Sequence, residues 1–324
     1  MTQLRSFKRF NNWHFGLISL LAIPTWLLVF ASGAPKAWTP SASHLQPQIT
    51  DDTNPVVTRP ESAPIPQPQP QTQKASAPTQ VRQPQDVEMK VVLARKVEMV
   101  PIATSTVGII KDDSGRSLRR LPAGIGYYPQ VAGNRINFGS WKAPNSIWIE
   151  ATQGGFVAVG QRWYRGRVRL ISHNSSLLAV NHVNLEPYLY SVVGAEMWST
   201  WPIEALKAQA VAARSYALAR KVSPPSPFYD MGATEAWQVY KGIHSEAQST
   251  HTAVNATAGL FLSYKDAVVE ALYADTEATS RRAHGGRGMS QTGARDLAAQ
   301  GRDYQHILGT YYPGAGLTKL QLSQ

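Results

Sequence analysis

Glu196 is the residue of this sequence whose type and spacing most suggest chemistry. At about 100° per residue, the apolar side chains around it fall on one helical arc of roughly 140°, and Glu196 lies near the middle of that arc. These apolar residues are Leu189, Val192, Val193 and Met197. Burial disfavours an ionised carboxylate and raises its pKa toward the range of a general acid. The spacing therefore makes Glu196 a candidate catalytic acid and base.

A structural interpretation of Glu196 stays open beside the catalytic one. Buried carboxylates also occur in ion pairs, and Arg214, on the next predicted helix, is a suitable partner. Trp198 and Trp201 follow closely, and their flat faces suit the apolar face of a sugar ring, although tryptophans also fill cores. Glu186 lies at a helix start, where the helix dipole stabilises a carboxylate and no further explanation is needed.

Other chemistries find little support in the sequence. It contains no cysteine, which excludes a disulfide framework, a thiolate nucleophile and cysteine-ligated zinc. His244, His251 and His284 do not have the spacing of metal ligands. The glycine-rich segment 283–289 lacks the Lys-Ser/Thr ending of a nucleotide-binding loop. We therefore predict no metal and no cofactor.

The charge balance indicates an anionic partner. The formal net charge is +11 at pH 7 and the pI is near 9.8. Nucleic acid, a membrane surface and an acidic wall polymer all satisfy this requirement. No nucleic-acid-binding motif accompanies the basic residues and the chain begins with an export signal, so we predict no nucleic-acid partner.

Two helices must position Glu196 and the residues after it. Pro187 suits the first turn of a helix that reaches Met197, and the next helix is predicted from Pro202 to Arg220. The second helix is rich in alanine, which favours helix and lets neighbouring elements approach closely. The remaining predicted elements are strands at Ala236–Tyr240 and Leu260–Tyr264, a helix between them at Glu246–Thr257, and helices at Ser290–Gln300 and Asp303–Tyr311.

A β-rich region precedes these helices. Between Val87 and Ser172, short β-branched and aromatic runs alternate with turn residues, at a spacing typical of hairpins in a small sheet or sandwich. The runs are Lys90–Leu93, Val107–Ile110, Asn134–Phe138, Ile147–Glu150, Phe156–Val159 and Arg167–Ile171, with a further hairpin continuing through Leu177–Val183.

The N-terminal quarter has a different character. Arg5, Lys8 and Arg9 precede an apolar run over residues 15–31, the pattern of an export signal. The length of the run leaves both a cleaved signal peptide and an uncleaved membrane anchor open. Residues 39–86 are dense in Pro, Gln, Ser and Thr and predict a disordered, extended linker.

Several motifs around Glu196 resemble the sporulation stage II protein D family, also called SpoIID/LytB. The resemblance spans roughly Val87 to Leu317, and its most specific part is the block from Glu196 to Tyr216. The matching segments are Tyr164–Asn181, Leu185–Leu189, Val192–Met197, Trp201–Ala217, Gln238–Gly242, Gly288–Ala294 and Ile307–Gly314.

The resemblance implies a function in the bacterial cell wall. Members of this family are lytic transglycosylases of peptidoglycan or are described as enhancers of wall amidases. In the enzymes, the glutamate that matches Glu196 is the catalytic acid and base, and the arginine that matches Arg214 orients it or binds substrate. The other positions that the resemblance implies for substrate binding are Gln209, Tyr216, Trp201, Tyr240, Ser290, Gln291 and His284.

This chain departs from the family pattern at three places. Ala274–Ala283 replaces a longer insert, so part of the cleft wall is missing. His284 lies one residue farther than usual from the Gly-Met-Ser-Gln motif. Trp237 stands where some relatives have a cysteine and can carry metal, which again predicts no zinc.

Together these observations predict an α+β protein with three parts. Residues 1–38 form a signal peptide or signal anchor, 39–86 a linker, and 87–318 a SpoIID/LytB-like domain. Within that domain, a β-rich part (87–183) packs on a helical catalytic part (184–318). The predicted protein is exported to the periplasm or cell envelope, is held at the inner membrane if the apolar run stays uncleaved, and cleaves peptidoglycan glycan strands. The alternative is a non-catalytic enhancer that binds glycan or a cell-wall amidase.

Overall fold

A computed structural model describes residues 87–320 of the chain. The predicted export segment and linker, residues 1–86, lie outside the described residues. The described part is a mixed α+β structure with several sheets and six α-helices, which confirms the α+β class predicted for this part of the chain. No helix within residues 87–320 has both the length and the apolar character needed to cross a bilayer.

The strands and helices are numbered here in chain order. The strands are β1 (Glu88–Val97), β2 (Ile102–Thr104), β3 (Gly108–Lys111), β4 (Ser117–Leu121), β5 (Gln130–Ala132), β6 (Arg135–Phe138), β7 (Trp141–Ala143), β8 (Ser146–Ala151), β9 (Val157–Val159), β10 (Arg162–Tyr164), β11 (Arg167–His173), β12 (Ser176–Asn184), β13 (Met231–Gly232), β14 (Leu260–Tyr264), β15 (Ala267–Val268), β16 (Tyr273–Ala274), β17 (Met289–Ser290) and β18 (Gly316–Lys319). The helices are α1 (Leu185–Glu196), α2 (Ile203–Val222), α3 (Gln248–Ala256), α4 (Glu277–His284), α5 (Gln291–Ala299) and α6 (Tyr304–Tyr311), with a 3-10 turn at Gly242–Ser245.

A seven-stranded sheet forms the scaffold, with strand order β13-β1-β12-β11-β8-β3-β4. Its central hairpin joins β11 to β12, with His173 paired to Ser176. The two residues between them, Asn174 and Ser175, have φ of 48° and 53°. Positive φ at both central residues matches the right-handed twist of the flanking strands, which is why such turns close hairpins. The last residue of β12 leads directly into α1, so the sheet fixes where that helix begins.

Smaller sheets complete the β structure. Their strand orders are β10-β9-β2, β5-β6-β7, β15-β14-β18 and β16-β17. The two-stranded sheet is parallel and pairs Tyr273 with Met289 and Ala274 with Ser290. This pairing joins the segment before α4 to the segment after it.

Helix α2 lies at the centre of the helical part. Most of its residues are buried on every side, because its many alanines leave room for α1, α3, α5 and α6 to pack closely. Glu204 lies in its first turn, and Arg220 and Lys221 lie in its last turn, the arrangement that the helix dipole favours. The strands and the helices share one hydrophobic core, which contains side chains such as Val91 and Leu170 from the sheet.

The structure corrects one predicted element and adds a helix that was not predicted. The predicted strand Ala236–Tyr240 is wrong, since this segment pairs with no strand. The backbone N–H groups of this segment instead donate to acceptors outside a sheet, among them the Glu196 carboxylate. Helix α4 was not predicted, although Thr276 caps it and Gly285, with φ of 63°, ends it.

Candidate functional site

Glu196 is the last residue of α1 and lies at the rim of the core. The predicted apolar face is observed, because Leu189, Val192 and Val193 are fully buried and Met197 is nearly so. Gly194 allows the end of α1 to approach the 3-10 turn: a Cβ at this position would lie 1.9 Å from the Ser245 carbonyl oxygen. Close packing on both sides therefore fixes the position of the Glu196 backbone.

The Glu196 carboxylate is held at one oxygen by two neutral donors. The Val239 backbone N–H donates to Oε1 over 2.7 Å, and the Tyr273 hydroxyl donates to the same atom over 3.4 Å. Val239 has its N–H free for this bond because the segment around it joins no sheet. Oε1 is thus an anchored oxygen, and Oε2 is the oxygen better placed to exchange a proton.

The direction of the Tyr273 hydroxyl is set by the fully buried side chain of Gln238. Gln238 Nε2 donates to the Ala213 carbonyl over 3.1 Å, which identifies this atom as the amide nitrogen. The same nitrogen donates to the Tyr273 hydroxyl over 3.0 Å, and Gln238 Oε1 accepts from the Tyr188 hydroxyl over 3.0 Å. Because the Tyr273 oxygen accepts a bond from Gln238, its own proton points to Glu196.

The pKa of Glu196 is raised above its ordinary value. Burial is the main cause, and the negative charge of Glu235 acts in the same direction. Hydrogen bonds from Val239, Gln291 and Tyr273 oppose the shift by stabilising the charged form, yet the net direction is upward. A carboxylic acid with a raised pKa keeps its proton to a higher pH, as a general acid requires.

The Gly-Met-Ser-Gln segment reaches Glu196 through the pairing of β16 with β17. Ser290 caps α5 by accepting a hydrogen bond from the Gly293 N–H over 3.1 Å. The side chain of Gln291, the first residue of α5, hydrogen-bonds to Glu196. Its Nε2 also approaches Gln209 Oε1 at 3.5 Å. Gln209 is fully buried and Gln291 is 5% exposed, so both lie behind the carboxylate rather than on an open surface.

Arg214 does not contact Glu196. Its guanidinium is fully buried and forms a bidentate pair with Glu186 at the start of α1, over 2.9 and 2.6 Å. It also donates to the Leu260 carbonyl over 2.9 Å, which ties α2 to β14. The predicted alternative of an ion pair between Arg214 and Glu196 is therefore wrong, because Arg214 pairs with Glu186. From the sequence, Glu186 had no predicted role beyond its interaction with the helix dipole.

Tyr240 and Tyr216 lie farther inside the protein. Tyr240 is 1% exposed, and its hydroxyl donates to Asn181 Oδ1 over 2.9 Å. Its ring packs between Tyr164 and Tyr188, with centroid distances of 5.2 and 4.8 Å. Tyr216 is 5% exposed. These contacts place both predicted site tyrosines in the packing behind the site.

The two tryptophans after Glu196 differ in their exposure to solvent. Trp198 is 74% exposed, while Trp201 is partly buried and has the Arg295 guanidinium 5.3 Å from its ring centroid. His284 is the last residue of α4 and is not among the hydrogen-bond partners of Glu196 within residues 87–320. The structure thus brings Gln291 to Glu196 directly and places the two tryptophans just beyond the end of its helix.

An open cleft of about 340 Å³ lies beside the carboxylate. The residue that links the two is Val239, which lines the cleft and donates its N–H to Glu196. The charged residues of the lining are Arg162, Glu235 and Lys241, and small residues at 233, 234 and 236 complete it. Glu196 itself does not line the cleft, and Val239 is the residue that the cleft and the carboxylate have in common.

Three groups of this site were not predicted from the sequence: the Val239 N–H, the Tyr273 hydroxyl and the Gln238 amide. Gln238 and Val239 belong to a motif that supported the family resemblance, whereas Tyr273 had no signal of its own. Within residues 87–320, no three His, Asp or Glu side chains are grouped closely enough to hold a metal ion.

Comparison with known proteins gives a family for part of the chain. Residues 173–264 match the Stage II sporulation protein family, SpoIID. This range contains Glu196, Arg214 and Val239, while Tyr273 and Gln291 lie beyond its end.

Three relatives are similar to this chain over stretches of 88 to 120 residues. An uncharacterized protein of Brachyspira hyodysenteriae is 40% identical over 120 residues, which are 36% of this chain and 32% of that protein. The Amidase enhancer of Bacillus subtilis is 39% identical over 88 residues, 27% of this chain and 12% of that protein. Stage II sporulation protein D of Bacillus subtilis is 32% identical over 113 residues, 30% of this chain and 33% of that protein. The chain thus spans a third or less of the length of each relative.

Proposed function

We propose that this protein, whose residues 173–264 match the Stage II sporulation protein family, is a lytic transglycosylase that cleaves the glycan strands of peptidoglycan. The observation that carries the proposal is the state of Glu196: a largely buried carboxyl group with a raised pKa and one oxygen held by neutral donors. This combination suits a group that must give up a proton and then take one back.

The proposed reaction needs a single carboxyl group. Protonated Glu196 donates its proton to the glycosidic oxygen that leaves C1 of N-acetylmuramic acid, and the C1–O bond breaks. The 6-hydroxyl of the same sugar then attacks C1 and loses its proton to the Glu196 carboxylate. The products are a free 4-hydroxyl on the departing N-acetylglucosamine and a 1,6-anhydro ring, with Glu196 again protonated and no water consumed.

The anchored oxygen gives this cycle a geometric basis. Val239 and Tyr273 both donate to Oε1, so Oε2 carries the proton in the acid form and receives it in the base form. The donors stay in place through both states because they belong to a backbone segment and to a side chain fixed by Gln238. A preorganised environment of this kind needs no rearrangement during the reaction.

The test is digestion of purified peptidoglycan by the full chain, followed by mass analysis of the released muropeptides. The wild type should give anhydro-muramic ends, which are lighter by one water than the products of hydrolysis. Glu196→Gln should lower their release about 10²- to 10⁴-fold, the range for loss of a general acid. Glu98→Gln, the same change at an exposed position in the β-rich part, is the control. Binding to glycan without anhydro ends would refute the enzyme.

The second candidate function is that of a non-catalytic enhancer of a cell-wall amidase, which binds the glycan or the amidase itself. It is favoured by the similarity to the Amidase enhancer of Bacillus subtilis. An enhancer would speed up a purified cell-wall amidase equally well as wild type and as Glu196→Gln. Both candidates act outside the cytoplasmic membrane, in the periplasm or the cell envelope, as the predicted N-terminal export signal requires.

A further inference from the structure

The cleft beside Glu196 carries two cations whose charge no carboxylate of residues 87–320 neutralises at ion-pair distance. Arg162 and Lys241 line this cleft, and neither takes part in a salt bridge within the described part of the chain. Many other basic residues of this part do: Arg165 pairs with Glu246 over 2.8 Å and Arg214 with Glu186 over 2.6 Å. Arg162 instead donates a hydrogen bond to the Tyr164 hydroxyl.

The charge of the cleft is positive overall. Arg162 and Lys241 contribute two positive charges, and Glu235 contributes one negative charge from the same lining. The two cations come from different parts of the fold, β10 and the segment after Tyr240, and they converge on one space of about 340 Å³. A guanidinium beside an ammonium group is a suitable receptor for a carboxylate, since each can donate charge-assisted hydrogen bonds.

We propose that this cleft binds a carboxylate of the glycan substrate next to the bond that Glu196 cleaves. N-acetylmuramic acid differs from N-acetylglucosamine by a lactyl ether that ends in a carboxyl group. In peptide-free strands this group is an anion itself, and in peptide-bearing strands it is an amide that leads to the carboxylates of the stem peptide. Arg162 and Lys241 would thus distinguish muramic acid strands from neutral glycans. This inference rests on the proposed action on glycan strands.

The experiment measures binding by calorimetry, with Glu196→Gln introduced into the full chain so that no ligand is consumed. Three tetrasaccharides serve as probes: peptide-free GlcNAc–MurNAc repeats, the same repeats with stem peptides, and neutral chitotetraose. A muramic acid probe should bind about tenfold or more tightly than chitotetraose, as expected when charge-assisted bonds form. Tighter binding of the peptide-free probe identifies the lactyl carboxylate as the ligand, and tighter binding of the peptide-bearing probe identifies the stem peptide.

Variants of the cleft decide whether its charges cause the preference. Arg162→Gln combined with Lys241→Gln should abolish the preference for the muramic acid probes and leave the affinity for chitotetraose unchanged. Glu235→Gln removes the negative charge of the cleft and should tighten binding of the anionic probe. The control is Arg120→Gln combined with Lys142→Gln, an equal loss of charge at exposed positions of the β-rich part.

The outcomes separate this inference from the proposed function. Equal binding of anionic and neutral probes, or a preference that survives the double variant of the cleft, overturns the carboxylate site and leaves the transglycosylase proposal standing. A preference that the cleft variant abolishes, in a protein whose wild type makes no anhydro ends, supports the site and overturns the enzyme. Failure to bind any of the three probes overturns both.

Discussion

Replacing Arg214 by methionine tests whether this residue acts on substrate or holds the fold together. The substitution keeps much of the side-chain volume and removes the charge. It leaves Glu186, whose side chain is only 15% exposed, without its bidentate partner. It also removes a donor to the Leu260 carbonyl, at 2.9 Å. The expected result is therefore a loss of stability.

The size of this loss follows from the contacts of the pair. Removing one partner of a buried ion pair costs about 3–5 kcal/mol. Glu186 retains one hydrogen bond, from the Gly259 N–H over 3.1 Å, so the lower end of this range applies. A loss of about 3 kcal/mol is a large fraction of the 5–15 kcal/mol typical of a folded domain. For a domain of this size it lowers the Tm by on the order of 10 °C.

Urea denaturation of the full chain, followed by circular dichroism, measures the change in the free energy of unfolding. Arg214→Met combined with Glu186→Leu should regain most of the lost stability, because an apolar pair of similar volume replaces a buried ion pair at little cost. Glycan binding, measured at a temperature where Arg214→Met is still folded, should be preserved. If Arg214→Met unfolds at the same urea concentration as the wild type and loses glycan binding, Arg214 acts on substrate and the structural explanation is refuted.

Three further predictions follow from the same structure. The folded protein holds the Glu196 proton more tightly than the unfolded chain does. The protonated carboxyl group therefore stabilises the fold fully below about pH 4, and this stabilisation is lost as the pH rises through the raised pKa. In urea titrations, Glu196→Gln should be more stable than the wild type at neutral pH and equally stable in acid. Gly194→Ala should lower the free energy of unfolding by about 1–3 kcal/mol, because the new Cβ would lie 1.9 Å from a backbone carbonyl oxygen. The control is Gly309→Ala, at a position in open space within α6, which should leave the stability unchanged or raise it. Thermal melts of both variants measure the difference. The pKa of Glu88 is lowered to about 2, mainly by the hydrogen bond with His182. The Glu88 carboxylate therefore stabilises the fold above pH 4.5, the ordinary pKa of a glutamate, and this stabilisation is lost as the pH falls toward 2. Glu88→Gln should flatten this part of the acid denaturation curve, and an unchanged curve would contradict the prediction.

The position of Glu196 could be predicted because it depends on local periodicity. The helical repeat around it separates a buried face from an exposed one, and a carboxylate on the buried face stands out. Helix α2 and strand β14 were predicted for the same reason, since alanine and β-branched residues have strong local preferences. Helix α4 had usable signals in Thr276 and Gly285, but Gly285 lies in the glycine-rich segment 283–289, which was interpreted as a loop.

The partners of Glu196 could not be predicted from local patterns. Val239 and Tyr273 are 43 and 77 residues away in the sequence, and they meet Glu196 only because separate segments cross at the end of α1. The pattern at Ala236–Tyr240 is the same for a strand as for an extended segment whose N–H groups find other acceptors. Periodicity also does not determine which carboxylate Arg214 selects, since Glu186 and Glu196 lie on the same helix.

Arg214 pairs with Glu186 and not with Glu196, and the two carboxylates therefore have opposite roles. Glu186 receives a buried cation, which stabilises its charged form and ties the start of α1 to α2. Glu196 receives only neutral donors, namely the Val239 N–H, the Tyr273 hydroxyl and the Gln291 amide. Neutral donors fix a carboxyl group in place without cancelling its charge, so burial still raises its pKa. A cation at the Arg214 position turned toward Glu196 would lower that pKa and favour the carboxylate that cannot donate a proton.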